Sequence, residues 1–66
     1  MTTREVFTRM PEAVRNKLED IRKDYKNPAL NKDATREKLY GYTLGLRDAG
    51  LISERERQIL FVYGTV

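Results

Sequence analysis

The sequence predicts a small all-α domain, a three-helix bundle with a short N-terminal lead-in. Two observations carry this prediction: apolar residues recur at helical spacing along the first third of the chain, and helix-start and helix-stop residues divide the rest. Sixty-six residues suffice for one domain, 1–66, near the lower size limit for a stable core. The absence of cysteine and histidine removes disulfides and a structural zinc as supports, so helix packing has to stabilise the fold.

The first helix is predicted from about Pro11 to Tyr25. Proline suits a first helical turn, and the residue before Pro28 avoids helical angles, so the helix stops there. Six apolar residues spaced three or four apart form one stripe: Phe7, Met10, Val14, Leu18, Ile21 and Tyr25. Because the stripe begins before Pro11, we expect the lead-in to be helical too, with a kink at the proline.

The second helix is predicted from about Ala34 to Ala49. Asp33 is the expected N-cap, because its carboxylate can accept hydrogen bonds from the first free amides. Gly50 fits the left-handed position that follows many helix ends, and Leu51 stands where a Schellman motif favours an apolar contact.

The third helix is predicted to begin directly after Ser53. Ser53 and Glu56 have the spacing of a capping box, which predicts a tight helix-turn-helix hairpin with the second helix. The segment 59–63, Ile-Leu-Phe-Val-Tyr, is also rich in residues that favour strands. A strand therefore stays open as an alternative there, although the capping box favours a helix that ends at Gly64.

Composition argues against several classes of function. The only serine, Ser53, is explained as a helix cap and has no histidine to activate it, so nucleophilic catalysis is not expected. The chain is expected to be no enzyme and to bind no metal, cofactor or small-molecule substrate. Without an apolar run near the roughly 20 residues that cross a bilayer, and without an apolar N-terminal stretch, a cytoplasmic protein without membrane contact is expected.

The second and third helices carry apolar residues away from the predicted core, and small residues that continue the main apolar face of the second helix. Tyr40 and Leu44 lie roughly opposite the main apolar face of the second helix, and Phe61 lies away from that of the third. Such a surplus is typical of a protein contact, so these three are predicted to bind a partner or a second copy. Gly41, Gly45 and Ala49 form a smooth groove on the second helix, where close packing is expected from another helix of this chain or from a second molecule.

A basic excess permits nucleic-acid binding as the alternative. The chain has 13 basic and 10 acidic residues, a net charge of +3, and the excess lies in the first 38 positions. The residues that would contact phosphates on the first helix and at the hairpin are Arg15, Arg22, Lys23, Lys26, Arg55 and Arg57.

Three stretches of the second half resemble known proteins. The segment 53–60 resembles the helix that opens the DNA-binding region of sigma factors and LuxR-type regulators, but the chain ends before a reading helix could follow. The segment 46–53 resembles the end of a winged-helix recognition helix, which would imply a strand over 58–66. The whole of 41–66 resembles short uncharacterised helical proteins of phages and conjugative elements of Gram-positive bacteria. It shares with them a Gly-Tyr helix start, a Leu-Arg-Asp-Ala-Gly-Leu-Ile turn and a Glu-Arg-Glu-Arg helix.

The last resemblance implies an accessory protein of a mobile element. Together with the apolar surplus, it leads to the hypothesis of a non-enzymatic, protein-binding regulatory factor, such as an inhibitor or modulator of a host protein. The alternative is a small DNA-binding transcriptional regulator that uses a basic helix face.

Overall fold

The computed structural model describes residues 2–66 and contains four helices in one compact unit. They are α1 (Thr3–Thr8), α2 (Glu12–Lys26), α3 (Lys32–Asp48) and α4 (Glu54–Gly64). The all-α class is confirmed, and the lead-in is helical as the apolar stripe predicted, but it forms a helix of its own, so the described residues contain four helices. No helix in this part of the chain is both long and apolar enough to cross a membrane.

Local capping signals define α1 and α4. The Thr2 hydroxyl accepts a hydrogen bond from the Glu5 amide, and the Glu5 carboxylate accepts one from the Thr2 amide. Ser53 and Glu56 repeat this arrangement at the start of α4. The helix that begins at this capping box continues through 59–63, so the strand that the winged-helix resemblance implied is not formed.

The boundaries of α2 and α3 differ slightly from those predicted. Pro11 is the N-cap of α2 and not its first residue, and the helix continues to Lys26. At α3 the N-cap is Asn31, whose side-chain oxygen accepts from the amides of Asp33 and Ala34 at 2.8 and 3.1 Å. The prediction of Asp33 as the cap was therefore wrong. Both residues have suitable side chains, but the helix begins two residues earlier than predicted, so Asp33 already lies in its first turn.

A Schellman motif ends α3. Gly50 has φ +79°, its amide donates to the Arg47 carbonyl at 2.9 Å, and the Leu51 amide donates to the Leu46 carbonyl at 3.0 Å. The left-handed glycine is thus confirmed. The Leu51 side chain nevertheless stays 59% exposed, so the motif here consists chiefly of its backbone hydrogen bonds.

One apolar core joins all four helices. α3 packs against α2 and α4, while α4 also contacts α1 and α2. Val6, and not Phe7, is the fully buried residue of α1, because the proline break rotates α1 relative to the stripe of α2. The core residues are Val6, Met10, Val14, Leu18, Ile21, Leu39, Leu46, Ile52 and Leu60.

Gly64 is the glycine that another helix approaches closely. A Cβ built on it would lie 2.4 Å from Cδ2 of Leu39 and 3.1 Å from its Cδ1. The end of α4 therefore rests directly on the fully buried Leu39 of α3. The sequence predicted Gly64 only as a helix stop, and its contact with Leu39 was not predicted.

Candidate functional site

The outer side of the α3–α4 pair carries an aromatic surface, the Tyr40 surface, formed by Tyr40, Leu44 and Phe61. The Tyr40 and Phe61 rings meet edge-to-face at 89°, with centroids 6.2 Å apart. Tyr40 is 48% exposed, while Leu44 and Phe61 are half-buried. Tyr40 and Leu44 therefore lie away from the core, as the sequence predicted, whereas Phe61 packs against the core and also contacts Tyr40.

An anchored arginine orients the ring of Tyr40. The Arg57 guanidinium lies 5.2 Å from the ring centroid and is only 9% exposed. It donates from Nε and Nη2 to the two carboxylate oxygens of Glu54, each at 2.8 Å. Hydrogen bonds from Arg57 first, and then from Arg47, hold the pKa of Glu54 well below its usual range, so the pair stays charged at neutral pH.

A shallow hollow of about 250 Å³ adjoins the exposed aromatic rings. Arg36 and Glu37 line it together with Tyr40 and Phe61. Arg36 is paired with Asp33 at 2.9 Å and also donates to the Tyr25 hydroxyl at 3.1 Å. The hollow thus has an apolar floor with one cation and one carboxylate at its rim.

The small-residue face of α3 is open. Gly41, Gly45 and Ala49 are exposed, and within residues 2–66 nothing lies within 4 Å of a Cβ built on either glycine. The interpretation that another helix of this chain packs closely there does not hold, because α2 and α4 cover the opposite side of α3. This open face adjoins Leu44 on the helix surface.

The predicted phosphate contacts divide into two groups. Arg15 donates to the carbonyls of Thr8 and Met10, at 3.5 and 3.0 Å, near the end of α1, and Arg57 is held by Glu54. Arg22 is half-buried and lies 4.7 Å from the Tyr63 ring centroid. The other three are exposed: Lys23, Lys26 and Arg55. Two of the six predicted contacts, Arg15 and Arg57, are thus engaged within the fold, and Arg22 is half-buried.

A second aromatic cluster, which the sequence did not predict, lies at the junction of α1, α2 and α4. The rings of Phe7 and Tyr63 stack with centroids 4.5 Å apart. The Tyr63 hydroxyl donates to the Glu19 carboxylate and accepts from Arg22 at 3.4 Å. Burial, followed by the hydrogen bond to Glu19, raises the pKa of Tyr63, so the phenol keeps its proton. Residues 56 positions apart meet here, and no local signal predicts such a contact.

Comparisons with protein-family models, curated proteins and solved structures found no match to this chain.

Proposed function

We propose that the chain is a non-enzymatic, protein-binding regulatory factor, an accessory protein of a mobile element that inhibits or modulates a host protein. In this proposal α2, α3 and α4 act as a three-helix bundle whose α3–α4 hairpin presents the Tyr40 surface. The observation that carries it is the exposed ring of Tyr40, which contacts both Phe61 and the anchored Arg57 of α4. An aromatic anchor whose orientation is set before binding loses little conformational entropy when a partner covers it.

The charges around the Tyr40 surface support a protein partner rather than phosphates. Arg57 is neutralised by Glu54, Arg36 is paired with Asp33, and Glu37 lies at the rim of the hollow. Cations and carboxylates are balanced here, whereas a nucleic-acid site gains its affinity from an excess of cations. A balanced polar rim around an apolar centre is the usual anatomy of a protein interface.

The open small-residue face of α3 favours a helical partner. A backbone can approach closely over Gly41 and Gly45, since neither glycine has a neighbour among the described residues. An amphipathic helix that lies across α3 would place one apolar side chain in the hollow beside Tyr40. The binding partner in this proposal is such a helix, from a host protein or from a second copy of the chain.

Photo-crosslinking in Gram-positive bacterial cells tests the proposal. The variant Tyr40→p-benzoylphenylalanine should capture one protein, identified by mass spectrometry, that the matched variant Lys23→p-benzoylphenylalanine does not capture. Leu44→Glu should then weaken binding of the purified partner by more than about tenfold in calorimetry, because it buries a charge in an apolar contact. Lys23→Glu is the control and should bind as the wild type does.

Three results would contradict the proposal: no capture at position 40, equal capture at positions 40 and 23, or full binding by Leu44→Glu. A captured species with twice the mass of the chain would identify the partner as a second copy. Sedimentation velocity of the purified protein would then show a dimer that Leu44→Glu dissociates.

The exposed cations Lys23, Lys26 and Arg55 favour the alternative of a small DNA-binding regulator. Fluorescence anisotropy with a labelled DNA duplex separates the two functions. Micromolar binding that weakens steeply as salt rises would support DNA binding, because phosphate contacts release counterions. We expect no such binding, since Arg15 and Arg57 are engaged by groups of the protein itself and Arg22 is half-buried beside Tyr63, where an extended duplex does not reach it as it reaches an exposed cation.

A further inference from the structure

A cleft of about 430 Å³ opens beside the second aromatic cluster. It lies between the short helix α1, the middle of α2 and the end of α4. None of the described residues that line it is acidic, and two of them are arginines. The lining consists of Thr3, Arg4, Phe7, Thr8, Arg22 and Tyr63.

Arg22 is a half-buried cation without a carboxylate partner in residues 2–66. Its hydrogen bond to the Tyr63 hydroxyl, at 3.4 Å, is long, and its Nε is buried and has no acceptor in this part of the chain. The nearby Glu19 carboxylate instead accepts the hydrogen bond of Tyr63. Removing a guanidinium from water is costly unless an anion or several acceptors replace the lost solvation. The comparison within the fold is Arg57, which has two contacts of 2.8 Å to Glu54.

Arg4 adds a second positive charge to the cleft. It lies on α1, one turn before Phe7, and it is exposed. The described residues include no ion-pair partner for it. Two guanidiniums line the cleft, and one nearby carboxylate, Glu19, is bonded to Tyr63, so the local charge is net positive and favours an anion.

The cleft also has a flat apolar wall. Phe7 stacks on Tyr63 with an interplanar angle of 24°, and Tyr63 in turn lies under the Arg22 guanidinium. The ring of Phe7 is only partly buried, so a flat group can cover it. Aromatic walls with a few convergent polar groups are the usual composition of a small-ligand site.

We propose that this cleft binds a small organic anion in which a carboxylate or phosphate is joined to a flat apolar group. The oxyanion pairs with Arg22 and Arg4, and the flat group packs on Phe7. The site is separate from the Tyr40 surface, and the proposal does not depend on the protein-binding function.

Titration of the ¹⁵N-labelled protein with phenyl phosphate, followed by amide NMR spectra, tests this site. Saturable shifts are expected in 3–8 and around Tyr63, with a dissociation constant of about 1 mM, the range expected of so small a ligand. Inorganic phosphate has the charge but no ring, and benzyl alcohol has a phenyl ring but no charge. Each should bind at least about tenfold more weakly than phenyl phosphate. Benzoate replaces the phosphate by a carboxylate and should shift the same amides.

Arginine variants locate the anion. Arg22→Gln should weaken phenyl phosphate binding by about tenfold or more, since a charge-assisted hydrogen bond is lost. Arg4 is exposed, so Arg4→Gln should leave folding unchanged and should weaken phenyl phosphate binding by about threefold. Lys26→Gln is the matched control, because it removes an exposed cation of α2 that does not line the cleft.

Four results would overturn the proposal. One is the absence of saturable shifts with phenyl phosphate and with benzoate up to about 10 mM, tenfold above the expected constant. Another is equal affinity for inorganic phosphate and phenyl phosphate, since the apolar wall would then contribute nothing. The third is wild-type affinity in both arginine variants, and the fourth is an equal loss in Lys26→Gln, which would indicate a general charge effect. If Arg22→Gln fails to give a folded amide spectrum, the comparison of Arg4→Gln with Lys26→Gln decides.

Discussion

The same substitution, glycine to alanine, should have opposite effects at two places in this fold. Gly41 and Gly45 lie in the exposed interior of α3, and in the described chain no atom is within 4 Å of an added Cβ. Alanine there gains only helix propensity, so each single variant should raise the free energy of unfolding by about 0.5–1 kcal/mol.

At Gly64 the added Cβ would overlap the Leu39 side chain. The distances of 2.4 and 3.1 Å to its two Cδ atoms require a shift, and Leu39 is fully buried in the core. Overpacking of this kind costs about 1–3 kcal/mol. The propensity gain of up to about 1 kcal/mol offsets part of it, so Gly64→Ala should lower the free energy of unfolding by about 1–2 kcal/mol.

Urea and thermal unfolding followed by circular dichroism measure these changes. In a domain of this size 1 kcal/mol corresponds to about 4–8 °C in Tm, which is easily resolved. Two protein concentrations should give the same Tm, as a control against self-association. A loss of stability in Gly41→Ala or Gly45→Ala would refute the open face of α3, and a gain in Gly64→Ala would show that Leu39 moves aside at no cost.

Three further changes test the turn and the start of α4. Gly50→Ala should lower the free energy of unfolding by about 1–2 kcal/mol in urea, because φ is +79°; a gain like that of Gly41→Ala would contradict this. Ser53→Ala removes the acceptor of the Glu56 amide and should cost about 1 kcal/mol, whereas Ser53→Asp should cost less; equal stability of all three proteins would argue against the cap. Hydrogen bonds from Arg57 and Arg47 lower the pKa of Glu54 in the folded state, so its contribution to stability is fully present above the unfolded value near about 4.3 and is lost as pH falls through the folded pKa. The Tm of Glu54→Gln should therefore fall less steeply below about pH 4 than that of the wild type, and parallel curves would contradict this origin.

The local elements of this fold could be predicted because neighbouring residues decide them. The capping pair Ser53 and Glu56 and the left-handed Gly50 act within one turn of chain, so their sequence spacing is sufficient evidence. The N-cap of α3 was predicted wrongly because two neighbouring residues, Asn31 and Asp33, can both cap a helix. The apolar stripe suggested one helix with a kink, whereas Pro11 separates α1 from α2.

The positions of Tyr40 and Leu44 outside the core were also predictable, whereas Phe61 was predicted to lie away from the core and packs against it. The helical period alone places them away from the main apolar faces, and the structure has Tyr40 exposed and the other two half-buried. Their use as a binding surface stays a prediction. The edge-to-face contact of Tyr40 with Phe61, by contrast, depends on how α4 lies along α3.

The sequence by itself determined which residues share a helix face, and the tertiary structure alone decided which face is covered. Periodicity is a property of one helix, whereas coverage depends on where the other helices pack. Gly41 and Gly45 were therefore assigned a close contact that Gly64 makes instead. Arg22 and Arg57 each have a glutamate three residues earlier in the sequence. Arg57 pairs with Glu54 within α4, whereas Tyr63 of α4 donates to Glu19 and leaves Arg22 with the phenol as its hydrogen-bond partner. Long side chains on different helices meet according to packing geometry, which sequence spacing does not contain.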